Sequence, residues 1–228
     1  MSKNVLIIGV GGGLSASLAR IFKANGFSIG LVSRNIKKIK SLGFEVSGEL
    51  FQCDVSDSSE VQKVFNEVDM RLGALDLVIY NPSKRTAGSI VDLDIHDVKS
   101  AMDTTCYGGF LVAQQAAKRM LKRGSGAIFF TGASASVKGF PNSSVFAMGK
   151  FGLRGLAQSL ARELHPKNIH IGHFVIDGSI ARFSEPNEKD LQSNLDPDEI
   201  AKSYLHFFMQ NKSCWSWELE LRPWLEKF

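Results

Sequence analysis

The 228 residues predict a doubly wound α/β fold of the Rossmann type: a parallel sheet of about seven strands with helices on both faces. Three observations lead there. Short apolar runs rich in β-branched and aromatic residues recur along the chain, and each is followed by a longer stretch of helical period. The first such pair is joined by a glycine-rich turn, Gly9-Val10-Gly11-Gly12-Gly13.

Taken in order, strands are expected near Asn4–Gly9, Ser28–Ser33, Glu49–Asp54, Leu75–Tyr80, Ala127–Gly132, His170–Ile176 and Trp217–Leu221. Helices are expected near Leu14–Asn25, Ile36–Leu42, Ser58–Leu72, His96–Arg123, Ser143–Leu164 and Asp198–Met209. Right-handed crossovers turn this order into one doubly wound sheet. No repeat, low-complexity tract or linker interrupts it, so residues 1–228 read as a single domain. The polar stretch Ala181–Pro197, with Pro186 and Pro197, lacks periodicity and is expected to form a substrate-side loop.

Composition narrows the function classes. Hydrophobic content of 44% and charged content of 22% leave no case for disorder. The net charge of +4 is spread along the chain apart from Lys37, Lys38 and Lys40, too diffuse for a nucleic-acid footprint. The apolar run after Met1-Ser2-Lys3 is too short for a signal segment or a membrane span, so no membrane association is expected. Cys53, Cys106 and Cys214 are odd in number and lack a C-x-x-C spacing, which predicts a reducing, cytoplasmic setting. His165, His170 and His173 do not predict a metal site, because His170 and His173 fall on opposite faces of one strand. The aromatic set Phe207, Phe208, Trp215, Trp217 and Trp224 is expected to serve in packing.

The glycine turn carries the first chemical signal. Gly9, Gly11, Gly12 and Gly13 allow a tight turn and close backbone approach, and the helix opening at Leu14 presents N–H groups and its dipole to an anion. A dinucleotide pyrophosphate fits that description. The second strand ends Leu31-Val32-Ser33-Arg34, where an NAD site carries a carboxylate for the ribose 2′-hydroxyl. Ser33 removes the acid and Arg34 offers a guanidinium for a 2′-phosphate, so NADP(H) is expected over NAD(H).

Gly9-x-x-x-Gly13-x-Ser15, Cys53-Asp54-Val55, Tyr80-Asn81-Pro82-Ser83 and Lys150 together resemble the short-chain dehydrogenase/reductase family, over essentially the whole chain. The resemblance implies that Asp54 and Val55 flank the adenine, that Asn81, followed by Pro82, holds the central turn of the cofactor, and that Lys150 contacts the nicotinamide ribose. It also implies that Asp177, Gly178 and Ile180 lie beside the nicotinamide. Ser15 replaces the third glycine of the fingerprint and is small enough for helix and strand to pack closely. A small-molecule substrate is implied, and a homodimer or homotetramer through the fourth and fifth helices, which Gly108-Gly109 would suit.

The catalytic pattern of the family is altered here. The family pairs Tyr-x-x-x-Lys on one helical face, the lysine lowering the phenol pKa, with a serine to orient the carbonyl and an asparagine to support a proton relay. The corresponding segment is Phe146-Ala147-Met148-Gly149-Lys150, so the ring remains without its ionisable oxygen. Ala133 takes the serine position, with Ser134 one residue away, and Thr105 stands where asparagine is expected. Lys150 alone is retained. Ser134, Ser136, Ser144, Tyr107 and Asp177 are candidate substitutes, and Lys150 could itself act as a cationic acid. Two functions remain open: an NADP(H)-dependent oxidoreductase of a small carbonyl or alcohol with an altered catalytic site, or a non-catalytic NADP(H)-binding sensor, scaffold or inactive subunit.

Overall fold

The apolar runs become seven parallel strands in a computed structural model that describes residues 3–181 and 193–225. They are β1 (Asn4–Ile8), β2 (Ser28–Ser33), β3 (Glu49–Gln52), β4 (Leu77–Tyr80), β5 (Gly126–Thr131), β6 (Ile169–Ile176) and β7 (Glu218–Leu221). Their order across the sheet is β3-β2-β1-β4-β5-β6-β7. The order reverses at β1, between β2 and β4, which opens a crevice at the carboxyl ends of these strands.

Helices cover both faces: α1 (Leu14–Ala24), α2 (Lys40–Glu45), α3 (Ser58–Arg71), α4 (Ile95–Met102), α5 (Gly108–Arg123), α6 (Ser144–Leu164) and α7 (Pro197–Phe208). Alternate strand residues divide the core in two. Leu6, Ile8, Val78, Tyr80, Ile128 and Phe130 pack toward α3, α5 and α6. Val5, Ile7, Leu31, Ile79, Phe129 and Phe174 pack toward α1 and α7. Asp57, Asp94 and Asp196 cap α3, α4 and α7 by accepting from backbone N–H groups, and each is an acid placed where the helix dipole favours it.

The helix expected over His96–Arg123 is interrupted. Residues Asp103–Tyr107 form a π turn between α4 and α5, closed by Gly108 N–H donating to the Asp103 carbonyl. The reason is long-range: the buried Tyr80 hydroxyl of β4 donates to the Thr104 carbonyl. Gly108 and Gly109 also differ from expectation, for they are buried within their own chain rather than turned to a partner. A Cβ on Gly108 would lie 2.6 Å from the Tyr80 hydroxyl oxygen, and one on Gly109 would lie 2.6 Å from Leu153 Cδ1. The expected helix Ile36–Leu42 splits into a 3₁₀ turn over Ile36–Ile39 followed by α2. Most of the Ala181–Pro197 loop lies outside the described residues, while Leu195 bridges to Ile180. Trp224 is 77% exposed and takes no part in the core, unlike Phe207.

Candidate cofactor cleft and active site

The crevice is lined by Gly9, Val10, Ser33, Arg34, Asn35, Lys38, Cys53, Val55, Asn81, Pro82 and Thr104, and has a volume of about 360 Å³. Gly9 is demanded by the chain itself. Its φ is +80°, and a Cβ there would lie 2.7 Å from Pro82 Cγ. Gly11, Gly12 and Gly13 are exposed, and a Cβ on any of them would meet no protein atom within 4 Å. Internal packing therefore does not require glycine at these three, but the close approach of a ligand would. The helix behind them, α1, has Gly13 as its N-cap with no side-chain cap and no acid in its first turn, which leaves its positive end open to an anion. Leu14 turns its side chain into the core, so only its backbone faces the loop.

Ser15 does more than fit. Its hydroxyl donates to the Gly9 carbonyl at 3.0 Å and accepts from the Asn81 amide at 2.7 Å, tying the glycine loop to the end of β4. At the end of β2, Arg34 and Lys38 are both exposed and both line the cleft. Lys38 was visible in the sequence only as one member of a basic run. Asp54 accepts from the Ser56 N–H and hydroxyl. Burial pushes its pKa upward, but these bonds and the charge of Arg34 outweigh that and hold it below the usual carboxylate range.

Lys150 lies on α6, almost wholly buried, and donates from Nζ to the Thr131 carbonyl at 2.6 Å. Burial, and then the Arg85 charge, pull its pKa down to about 7. Phe146 sits one turn earlier with its ring centre 5.8 Å from Lys150 Nζ, and the Arg85 guanidinium lies 4.3 Å over the same ring. Nothing in the spacing of the sequence pointed to Arg85.

The expected substitutes for the missing groups are placed as follows. Ala133 follows the end of β5, and its N–H donates to the Ser136 hydroxyl at 3.1 Å, with Ser136 fully buried. Ser134 opens a 3₁₀ turn and its hydroxyl bonds to Asp177. Asp177 is buried beside Lys138 and Arg222, each at 3.0 Å. Burial raises its pKa, yet the bonds from Ser134 and Lys138 and the two cations prevail and hold it low. Asp177 is therefore held as a carboxylate, which accepts hydrogen bonds rather than donating a proton. Thr105 is also engaged: its hydroxyl accepts from the Lys84 N–H at 3.0 Å and donates to the Lys84 carbonyl at 3.4 Å. Tyr107 is 48% exposed and stacks on Phe110, and Ser144 is exposed in the first turn of α6. Gly178, at φ +150°, abuts Pro223, and the backbone around Ile180 pairs with Leu195.

Behind Lys150, His173 donates from Nδ1 to Glu218, which also receives both ends of the Arg154 guanidinium. Burial pulls the His173 pKa down to about 4, so the ring is neutral. His170 points to the opposite face, stacked between Phe207 and Trp215. Among the described residues no group of three histidines, cysteines or acids could hold a metal ion, and no helix is long and apolar enough to cross a membrane.

Comparison with known proteins is consistent with this geometry. The family model described as short chain dehydrogenase matches residues 3–180. A 3-oxoacyl-[acyl-carrier-protein] reductase of Bos taurus is 27% identical over 199 residues, covering 86% of this chain and 84% of that protein. The crystal structure of a short-chain dehydrogenase from Rhodopseudomonas palustris superposes with a TM-score of 0.85 at 32% identity, covering 97% of this chain and 99% of that one. A tyrosine-to-phenylalanine variant of ElxO with NADPH bound superposes with a TM-score of 0.85 at 25% identity, covering 96% of this chain and 97% of that one.

Proposed function

The chain belongs to the short-chain dehydrogenase family, and from that premise we propose that it is an NADP(H)-dependent oxidoreductase of a small carbonyl or alcohol, working with an altered acid–base group. The observation that carries the reading is the cleft at the carboxyl ends of β1, β2 and β4. Arg34 and Lys38 line it, with serine rather than an acid at the end of β2, and the glycine turn that leaves β1 runs into a helix start without a side-chain cap. The bound nicotinamide would supply or accept the hydride.

The chain's own residues divide the remaining work. Gly11, Gly12 and Gly13 admit the pyrophosphate, Arg34 and Lys38 take the 2′-phosphate, and Asp54 and Val55 flank the adenine. Asn81 and Pro82 brace the turn through Ser15 and Gly9. Lys150 holds the ribose, while Gly178 and Ile180 line the nicotinamide side. Phe146 cannot donate a proton, and Ala133 has no hydroxyl with which to orient a carbonyl. Lys150 is the acid that remains, because a lysine drawn to about 7 can release its proton near neutral pH. A non-catalytic NADP(H)-binding role is favoured by one observation, the saturation of the Thr105 hydroxyl by the Lys84 backbone, which leaves no relay group where the family has asparagine.

Tyr107 of the π turn and Phe110 of α5, with Met148 and Phe151 of α6, expose large apolar surface, which supports a homodimer or homotetramer through these helices. Cys53, Cys106 and Cys214 are free thiols, which supports a reducing, cytoplasmic setting. The test of the whole reading is NADPH consumption with small carbonyls, run beside Arg34→Ala. That variant should weaken NADPH at least tenfold more than NADH; equal losses would refute the phosphate clamp.

A further inference from the structure

Arg85 reaches the place where the catalytic pattern is broken. It leaves the carboxyl end of β4 on the segment that follows Asn81, is exposed, and lays its guanidinium over the Phe146 ring at 4.3 Å. Lys150 Nζ stands 5.8 Å from the same ring centre, so two cations flank one aromatic side chain. The neighbouring Lys84 is already engaged, with Asp97 at 3.1 Å and Ser100 at 3.0 Å. Among the described residues, no carboxylate lies within salt-bridge distance of Arg85. A guanidinium with no carboxylate partner among the described residues, set over a ring that a buried lysine also approaches, would gain from an incoming anion.

We propose that Arg85 is a specificity-determining residue that binds the carboxylate of an oxo acid substrate, or of the hydroxy acid formed from it, with the reacting carbonyl lying along Phe146 toward Lys150. The planar guanidinium matches a carboxylate bidentately, and its position on the ring fixes the direction of approach. Phe146 then acts as an apolar floor that holds the guanidinium flat, whereas a phenol O–H there would compete with the guanidinium as a donor to the carboxylate oxygens. The proposal rests on the oxidoreductase reading above.

The test uses the full chain loaded with NADPH and a panel of short 2-oxo and 3-oxo acids, each beside its methyl ester. Turnover is followed by NADPH consumption, and binding by calorimetry on the loaded protein. The acids should be favoured over their esters by about tenfold or more in kcat/KM and in Kd. Arg85→Gln should abolish that preference through KM, with NADPH affinity held, and Arg85→Lys should restore part of it. A wild type that handles esters as well as acids, or a preference that survives Arg85→Gln, overturns the proposal. NADPH binding with no acid bound by either measurement overturns it while the cofactor reading stands. Failure of the wild type to bind NADPH overturns both.

Discussion

Replacing Lys150 with methionine should reverse the order of stability between wild type and variant as pH rises. Lys150 is 3% exposed, and burial, reinforced by the Arg85 charge, draws its pKa from 10.5 to about 7. In the unfolded chain it keeps its proton to roughly pH 10.4. Its folded value is the lower one, so the unfolded chain binds more protons between about pH 7 and pH 10, and stability rises with pH across that window. The gap corresponds to about 3–5 kcal/mol, all of it a penalty below pH 7. Methionine escapes the penalty but loses the 2.6 Å bond to the Thr131 carbonyl, about 1–2 kcal/mol. Lys150→Met should therefore be more stable than wild type by about 2–3 kcal/mol near pH 6 and less stable by about 1–2 kcal/mol near pH 10. His173, with its pKa drawn to about 4, stays neutral. Cys53, pushed up to about 12, titrates alike in both chains and cancels in the difference. Urea unfolding at several pH values reads the quantity directly. A difference between the two chains that does not change with pH would refute the buried, near-neutral lysine.

Phe146→Tyr restores a phenol between two cations that would lower its pKa, and kcat for generic carbonyls should rise by about 10²-fold or more in steady-state assays. No gain would mean that Ala133 and Thr105 limit the reaction as much. Gly9→Ala places a Cβ 2.7 Å from Pro82 Cγ at a φ of +80°, and should cost about 1–3 kcal/mol of stability and weaken NADPH binding, read by thermal melts and fluorescence titration.

The sheet was legible because its signals are local. Val5-Leu6-Ile7-Ile8 and the glycines after it announce a buried strand, a tight turn and a helix start within one short segment, and β1, α1 and the cleft follow. The π turn was not legible, since its cause is a Tyr80 hydroxyl reaching Thr104 from another element. Gly108 and Gly109 could be seen to need close packing, but only the fold shows that Tyr80 and Leu153 provide it. Asp177 read as a candidate acid because Lys138 and Arg222, which neutralise it, are distant in sequence. Arg85 carries no periodic or motif signal and is found only by the ring it covers. Ser15 lay between these cases: its tolerated size was readable, its bonds to Gly9 and Asn81 were not.

The central claim is that the crevice at β1, β2 and β4 receives NADP(H), and titration of the purified chain with NADPH and separately with NADH, followed by nicotinamide fluorescence, tests it most directly. The account predicts saturable binding of NADPH, at least tenfold tighter than NADH because Arg34 and Lys38 meet the 2′-phosphate. Binding of neither dinucleotide, or a preference for NADH, would contradict it.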